Sequence, residues 1–230
     1  MKRSLLGNLV AGLGALMPTA CLMAAEAEPA QIRLSHGVWR YDMKTTESDQ
    51  TGTNVKEESS GFTTFPAGIE IAAFWDGYAA YAYPVTTGGS FLIGKGFGGN
   101  QEAGISFSYN SNNVKDGDES SDTSIGGYYF YSRLLTPSLT FEFDFNPALV
   151  MGSEKSTSGG TTQEADGSGY SLYLDLLGVI PLAKNFEYVF GIDYTMSNIK
   201  ADVKSGGASS TIKESESGLG LILAKFRYFI

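Results

Sequence analysis

Residues 218–230 read Gly-Leu-Gly-Leu-Ile-Leu-Ala-Lys-Phe-Arg-Tyr-Phe-Ile and run into the end of the chain. Phe226, Tyr228 and Ile230 alternate with Lys225 and Arg227. A period of two puts the apolar set on one face of a strand and both cations on the other. A soluble sandwich has no use for a closing strand with aromatic residues at its tip. A barrel set in lipid does, because its outer wall must be apolar while its interior is polar.

The beginning of the chain points to export. Lys2 and Arg3 precede an apolar run from Leu5 to Met23, and Ala25-Glu26-Ala27 comes next. Basic start, hydrophobic stretch and small-x-small site predict a cleaved signal peptide over 1–27, cut after Ala27, with Ala25 as the alternative. A lipoprotein signal acylated at Cys21 competes, but Pro18-Thr19-Ala20 lacks the aliphatic residue expected three positions before the cysteine. Cys21 is the only cysteine, so loss of the leader leaves no disulfide and no thiol chemistry.

The mature chain, 28–230, contains no apolar run near the roughly 20 residues that a spanning helix needs. Without Lys2, Arg3 and Glu26 it carries 14 cationic and 24 acidic side chains, a formal charge of −10. That balance argues against nucleic acid, whose binding rests on phosphate neutralisation. It suits solvated outer segments.

The connections alternate in length. Lys200–Ser217, Ser153–Ser168 and Asn110–Thr123 read as long polar loops, whereas Pro181–Asn185, Thr136–Ser138 and Gly98–Asn100 read as tight turns. Short periplasmic turns opposite long extracellular loops are the pattern of a transmembrane barrel. Between them Leu139, Phe141, Phe143 and Phe145 interleave with Thr140, Glu142 and Asp144. Tyr170, Leu172, Leu174 and Leu176 interleave with Ser171, Tyr173 and Asp175. Phe186, Tyr188, Phe190, Ile192, Tyr194 and Met196 form one face of a segment too long for an average sandwich strand but suited to a tilted membrane strand. The fold class is therefore all-β: an antiparallel up-and-down transmembrane barrel.

The 203 residues after the leader (230 minus 27) allow about 25 per strand for eight strands or about 20 for ten. Eight is the expectation, and 45–89 decides it. Either 45–89 is a long first loop, or Phe65–Thr87 crosses as an extra hairpin turning at Asp76-Gly77, a favoured two-residue turn, which makes ten. Phe74, Tyr78 and Tyr81 also stand at helical spacing, so a short helix or plug is the third option.

Several segments resemble small bacterial outer-membrane β-barrel domain proteins of the OmpA, OmpX and OmpW kind. They are Ser90-Phe91-Leu92-Ile93-Gly94-Lys95-Gly96-Phe97 with Asn100, Ala103-Gly104-Ile105-Ser106-Phe107-Ser108-Tyr109, and Tyr128-Tyr129-Phe130-Tyr131-Ser132-Arg133. Phe226, Tyr228 and Ile230 resemble the C-terminal assembly signal of such barrels. The resemblance implies a Gram-negative outer membrane, with lipid, lipopolysaccharide and the barrel-assembly machinery as partners, and no cofactor. The roles it implies run from envelope structure and adhesion to passage of small apolar solutes. Two functions compete: a non-enzymatic barrel serving structure or surface contact through four long loops, and a small channel or transporter.

The charges assigned to the lumen are Arg40, Asp42, Arg133, Glu142, Asp144, Asp175, Glu187, Asp193, Lys225 and Arg227. In an eight-stranded barrel such groups must pair with one another, because the interior is just wide enough for side chains. Ten strands would favour a polar conduit. Trp39, Tyr41, Tyr128, Phe130, Tyr194 and Tyr228 are expected in aromatic girdles at the interfaces. The single His36, beside Ser35, lacks the other parts of a catalytic site, so an enzyme is not expected. Lys115–Asp122 is acidic without the spacing of a calcium loop, so no metal is expected, and any extracellular ligand is left unassigned.

Overall fold

The structure, a computed structural model, describes residues 31–50, 53–63, 69–85, 87–114, 118–158 and 161–230. Residues 1–30, with the expected signal peptide and Cys21, and residues 65–68 and 86 of the ambiguous segment lie outside them. Eleven antiparallel strands run in sequence: β1 Gln31–Gln50, β2 Thr53–Thr63, β3 Ile69–Trp75, β4 Tyr78–Val85, β5 Gly88–Gly98, β6 Gln101–Val114, β7 Asp118–Thr136, β8 Leu139–Ser158, β9 Thr161–Ala183, β10 Phe186–Ser205 and β11 Ala208–Phe229.

Ten of them close a ring. β1 pairs along one edge with β11, and its other edge is divided between two partners. Gln31–His36 of β1 pairs with β3, whereas Arg40–Gln50 pairs with β2. β2 is therefore a hairpin arm above the ring. Tracing paired residues once around the wall, from Gln31 through Phe74, Gly94, Gly104 and Tyr173 to Gly218, returns to β1 at Lys44. That climb is the stagger that strand tilt imposes on a closed sheet.

The expected eight strands are thus corrected to ten in the ring and eleven in the sheet. The difference is the β3–β4 hairpin, which turns at Asp76-Gly77. Both turn residues have positive φ, 44° and 75°, as a turn matched to strand twist requires. Its strands are short and alanine-rich, so their alternation is faint in sequence: Ala72, Phe74, Ala79, Tyr81 and Tyr83 face inward while Ile71, Trp75 and Tyr78 face out.

The long loops are a second correction. Lys200–Ser217 is the top of β10 and β11 joined at Gly206-Gly207, and Ser153–Ser168 lies largely in β8 and β9. Where both faces of a strand meet water, its polar residues read as a loop although the backbone ladder continues. β7 to β11, with β1, make a tall wall, while β3, β4 and β5 are low.

The wall has inverted polarity. Ile105, Leu149, Leu134 and Trp39 are 66%, 68%, 63% and 59% exposed on the outside, whereas Arg33, Glu142 and Arg227 are fully buried inside.

Candidate functional site: the charged lumen

The lumen is layered. At the end bearing the tight turns, Arg227 of β11 grips Glu142 of β8 through two hydrogen bonds of 3.0 and 2.7 Å, and Glu187 lies 3.6 Å away. Arg33 of β1 pairs with Glu70 of β3, whose other oxygen accepts from Lys225 at 3.1 Å. Three cations and three carboxylates therefore close this end. A two-pronged guanidinium contact fixes geometry as well as charge.

Aromatic rings complete this floor on the β3–β7 side. The Arg33 guanidinium lies 5.5 Å from the Phe74 ring centre and 5.9 Å from that of Tyr81. Glu102 accepts from Tyr81 at 3.0 Å and from Tyr128. The Tyr128 ring lies over Gly94 and Gly104, where a side chain would collide with it.

Above the floor runs a row of carboxylates. Asp144 of β8 is the register partner of Asp175 of β9, which is the partner of Asp193 of β10. Arg40 reaches Asp193 at 2.8 Å and also holds Asp42. Gly220 leaves room for this, since a Cβ there would lie 2.5 Å from the Asp193 carboxylate and 2.8 Å from Arg40. One level higher Lys44 meets Glu216 at 2.6 Å.

The tall part of the lumen is apolar in its middle: Val150, Ile199, Ala201, Val203 and Ile212 form a buried cluster with Ala165. Beside it Glu154 and Glu214 face inward, and Asn110 donates to Asp122 at 3.2 Å. Burial, then Asp118 and Glu214, push the Glu154 carboxyl from an ordinary 4.5 to about 7. The folded chain then keeps a proton that the unfolded chain releases, so stability is lost as pH rises from about 4.5 to about 7. Glu154→Gln is expected to match the parent below that window and to exceed it increasingly across it. Urea unfolding at each pH checks this, and a gap that does not vary with pH contradicts it.

Of the residues assigned to the lumen, Arg40, Asp42, Glu142, Asp144, Asp175, Glu187, Asp193, Lys225 and Arg227 line it. Arg133 does not. It is exposed on the outer wall, with Ser132 inward beside Glu142. Tyr128 and Phe130, expected in a girdle, are inside and buried. One cause covers all three. Tyr128–Tyr131 are consecutive aromatic residues, the phase is unreadable there, and a one-residue slip turns every side chain to the other face.

Sequence reasoning missed Arg33, Lys44, Glu70, Glu102 and Glu216. Register breaks between Gly37 and Arg40, so Arg33 and Ser35 share the inner face with Arg40 and Asp42 despite opposite parity. Gly37 was the available signal.

Trp39, Tyr41, Tyr194 and Tyr228 lie outside, as do Phe226 and Ile230, and Phe226 stacks on Phe186 at 5.4 Å. His36 is on the outer wall, paired in register with Phe226 and Ile69. Asp118–Asp122 of the acidic segment belongs to β7. Among the described residues no three metal-ligating side chains converge on one centre.

No protein-family model matches the chain, and no curated protein matches it in sequence. Solved structures overlap it distantly. The outer membrane protease OmpT from Escherichia coli is 9% identical, with 91% of this chain and 99% of that chain covered and a TM-score of 0.44. Neisserial surface protein A gives 11%, 87%, 99% and 0.33, and the attachment invasion locus protein Ail of Yersinia pestis gives 11%, 87%, 100% and 0.30. No activity, ligand or partner passes from them to this chain.

Proposed function

We propose that the chain is an integral barrel of a Gram-negative outer membrane, exported by its signal peptide. In this reading it is a closed, non-enzymatic scaffold that carries a tall β wall for envelope structure or surface contact. The observation that carries the first half is the inverted polarity of a sheet with no open edge in its ring. Water would not tolerate so continuous an apolar exterior, and lipid would not tolerate an unpaired strand edge. The outward run Phe186–Met196 on β10 has the length of a tilted strand crossing a bilayer core.

The buried Arg227–Glu142 pair carries the second half. A conduit would need this floor to part, exposing carboxylates that now hold their cations at hydrogen-bond distance. Lipid, lipopolysaccharide and the assembly machinery are the partners this reading implies. The tall wall, rich in Ser, Thr, Asp and Gly, is where surface contacts would form.

Both tryptophans face out, Trp39 within the apolar belt and Trp75 beside the β3–β4 turn, stacked on Tyr78. In vesicles of brominated lipid each should be quenched when read alone in the Trp75→Phe and Trp39→Phe variants. Trp39 should respond most to bromines deep in the chains and Trp75 to shallow ones. Unquenched emission from both would overturn membrane insertion of this wall.

A further inference from the structure

Above the apolar belt, β1, β2, β9, β10 and β11 line a trough of about 680 Å³ on the outer wall. That is the size of a small-ligand site, roughly 300–1,000 Å³. Lys200 of β10 and Lys213 of β11 stand directly opposite one another in it, both exposed. Opposed like charges destabilise a strand pair, and neither lysine forms an ion pair among the described residues. On their far sides, Lys213 has Asp49 of β1 as register partner and Lys200 has Ser168 of β9. One carboxylate therefore stands beside two cations. The other charges of the trough balance locally, since Glu47 is opposite Lys56, which also meets Glu58 at 3.0 Å.

The lysine pair has a definite depth. Tyr170 and Asn198 are register partners one outward position below Lys200, about 7 Å along the strands. An exposed tyrosine there marks the upper edge of the belt. Directly beneath, a second hollow of about 510 Å³ runs down the same wall to Met43, Tyr194 and Leu219, all on the outer face.

Uncovered cations over an apolar furrow match an anionic amphiphile. On the membrane placement proposed above, we infer that this wall binds a lipid of the outer leaflet through a phosphate held between Lys200 and Lys213, with an acyl chain along the lower hollow. A phosphate monoester supplies acceptor oxygens for both ammonium groups and cancels their repulsion. Ser168 and Asn198 flank it with polar groups.

The probes are phosphatidic acid and diacylglycerol of the same chains, which differ only by the phosphate, mixed into detergent micelles of the refolded mature barrel. Retention counted by native mass spectrometry should favour phosphatidic acid. The Lys200→Gln/Lys213→Gln double variant should bind it about tenfold more weakly, with diacylglycerol unchanged. Removing the same charge elsewhere, by Lys184→Gln with Lys204→Gln, should leave both lipids unaffected. Inorganic phosphate should compete only at far higher concentration than the lipid. Equal retention of the two lipids by the parent overturns the site, and needs no variant to fold. So does an equal loss in the control variant, which would leave surface charge alone. Competition by inorganic phosphate at the lipid's own concentration overturns it too, by making the ligand a free anion. Each of these failures leaves the membrane placement standing, because tryptophan quenching reads that separately.

Discussion

Replacing Arg227 with Met is expected to destabilise the folded barrel by about 3–5 kcal/mol. The guanidinium is fully buried and holds both oxygens of Glu142, itself fully buried. Its removal strands a carboxylate, with Glu187 near by, where water cannot enter freely. Adding Glu142→Leu should recover most of the loss, because a buried pair exchanged whole for apolar groups is often close to neutral. Urea titration of the parent, single and double variants in lipid vesicles measures both steps. A single variant within about 1 kcal/mol of the parent would mean that the floor is hydrated and loosely held.

The second large effect concerns backbone room rather than charge. Gly104→Ala is expected to cost at least about 1–3 kcal/mol, the usual range for overpacking. Its Cβ would sit 2.1 Å from the Ile93 carbonyl oxygen and 2.5 Å from the Tyr128 ring. The ring could swing away, but the strand carrying Ile93 could not, so Tyr128→Leu should not rescue the variant. Gly127→Ala is the control. The nearest atom to its Cβ is 3.5 Å away, and its stability should stay within about 0.5 kcal/mol of the parent. Equal losses at the two glycines would contradict the packing of Tyr128 over β5 and β6.

How much of this was legible in sequence varied with how cleanly polarity alternates. On β8 and β10 the outward residues are apolar at every second position, and there the inner residues Glu142, Asp144, Glu187 and Asp193 could be read directly. On β7 four aromatic residues in a row hide the phase, which misplaced Tyr128, Phe130 and Arg133 together. On β1 a bulge reverses the phase midway, hiding Arg33. Glu70 was out of reach for another reason: it sits on a short alanine-rich strand whose existence was itself in question. The ion-pair floor depends on contacts between strands far apart in sequence, such as Arg227 with Glu142 and Lys225 with Glu70. Period and composition assign a face, but they do not choose the partner across the lumen. The tall wall was hidden because its polar strands and a polar loop have the same composition.

The closed lumen is most directly tested by conductance. Protein refolded in detergent, shown to change mobility on boiling, would be inserted into a planar bilayer and recorded across pH and salt. Silence is expected, with the Arg227–Glu142 and Arg33–Glu70–Lys225 contacts closing the end that bears the tight turns. Discrete steps from the parent protein would show that water and ions pass this floor, and would replace the scaffold with a channel.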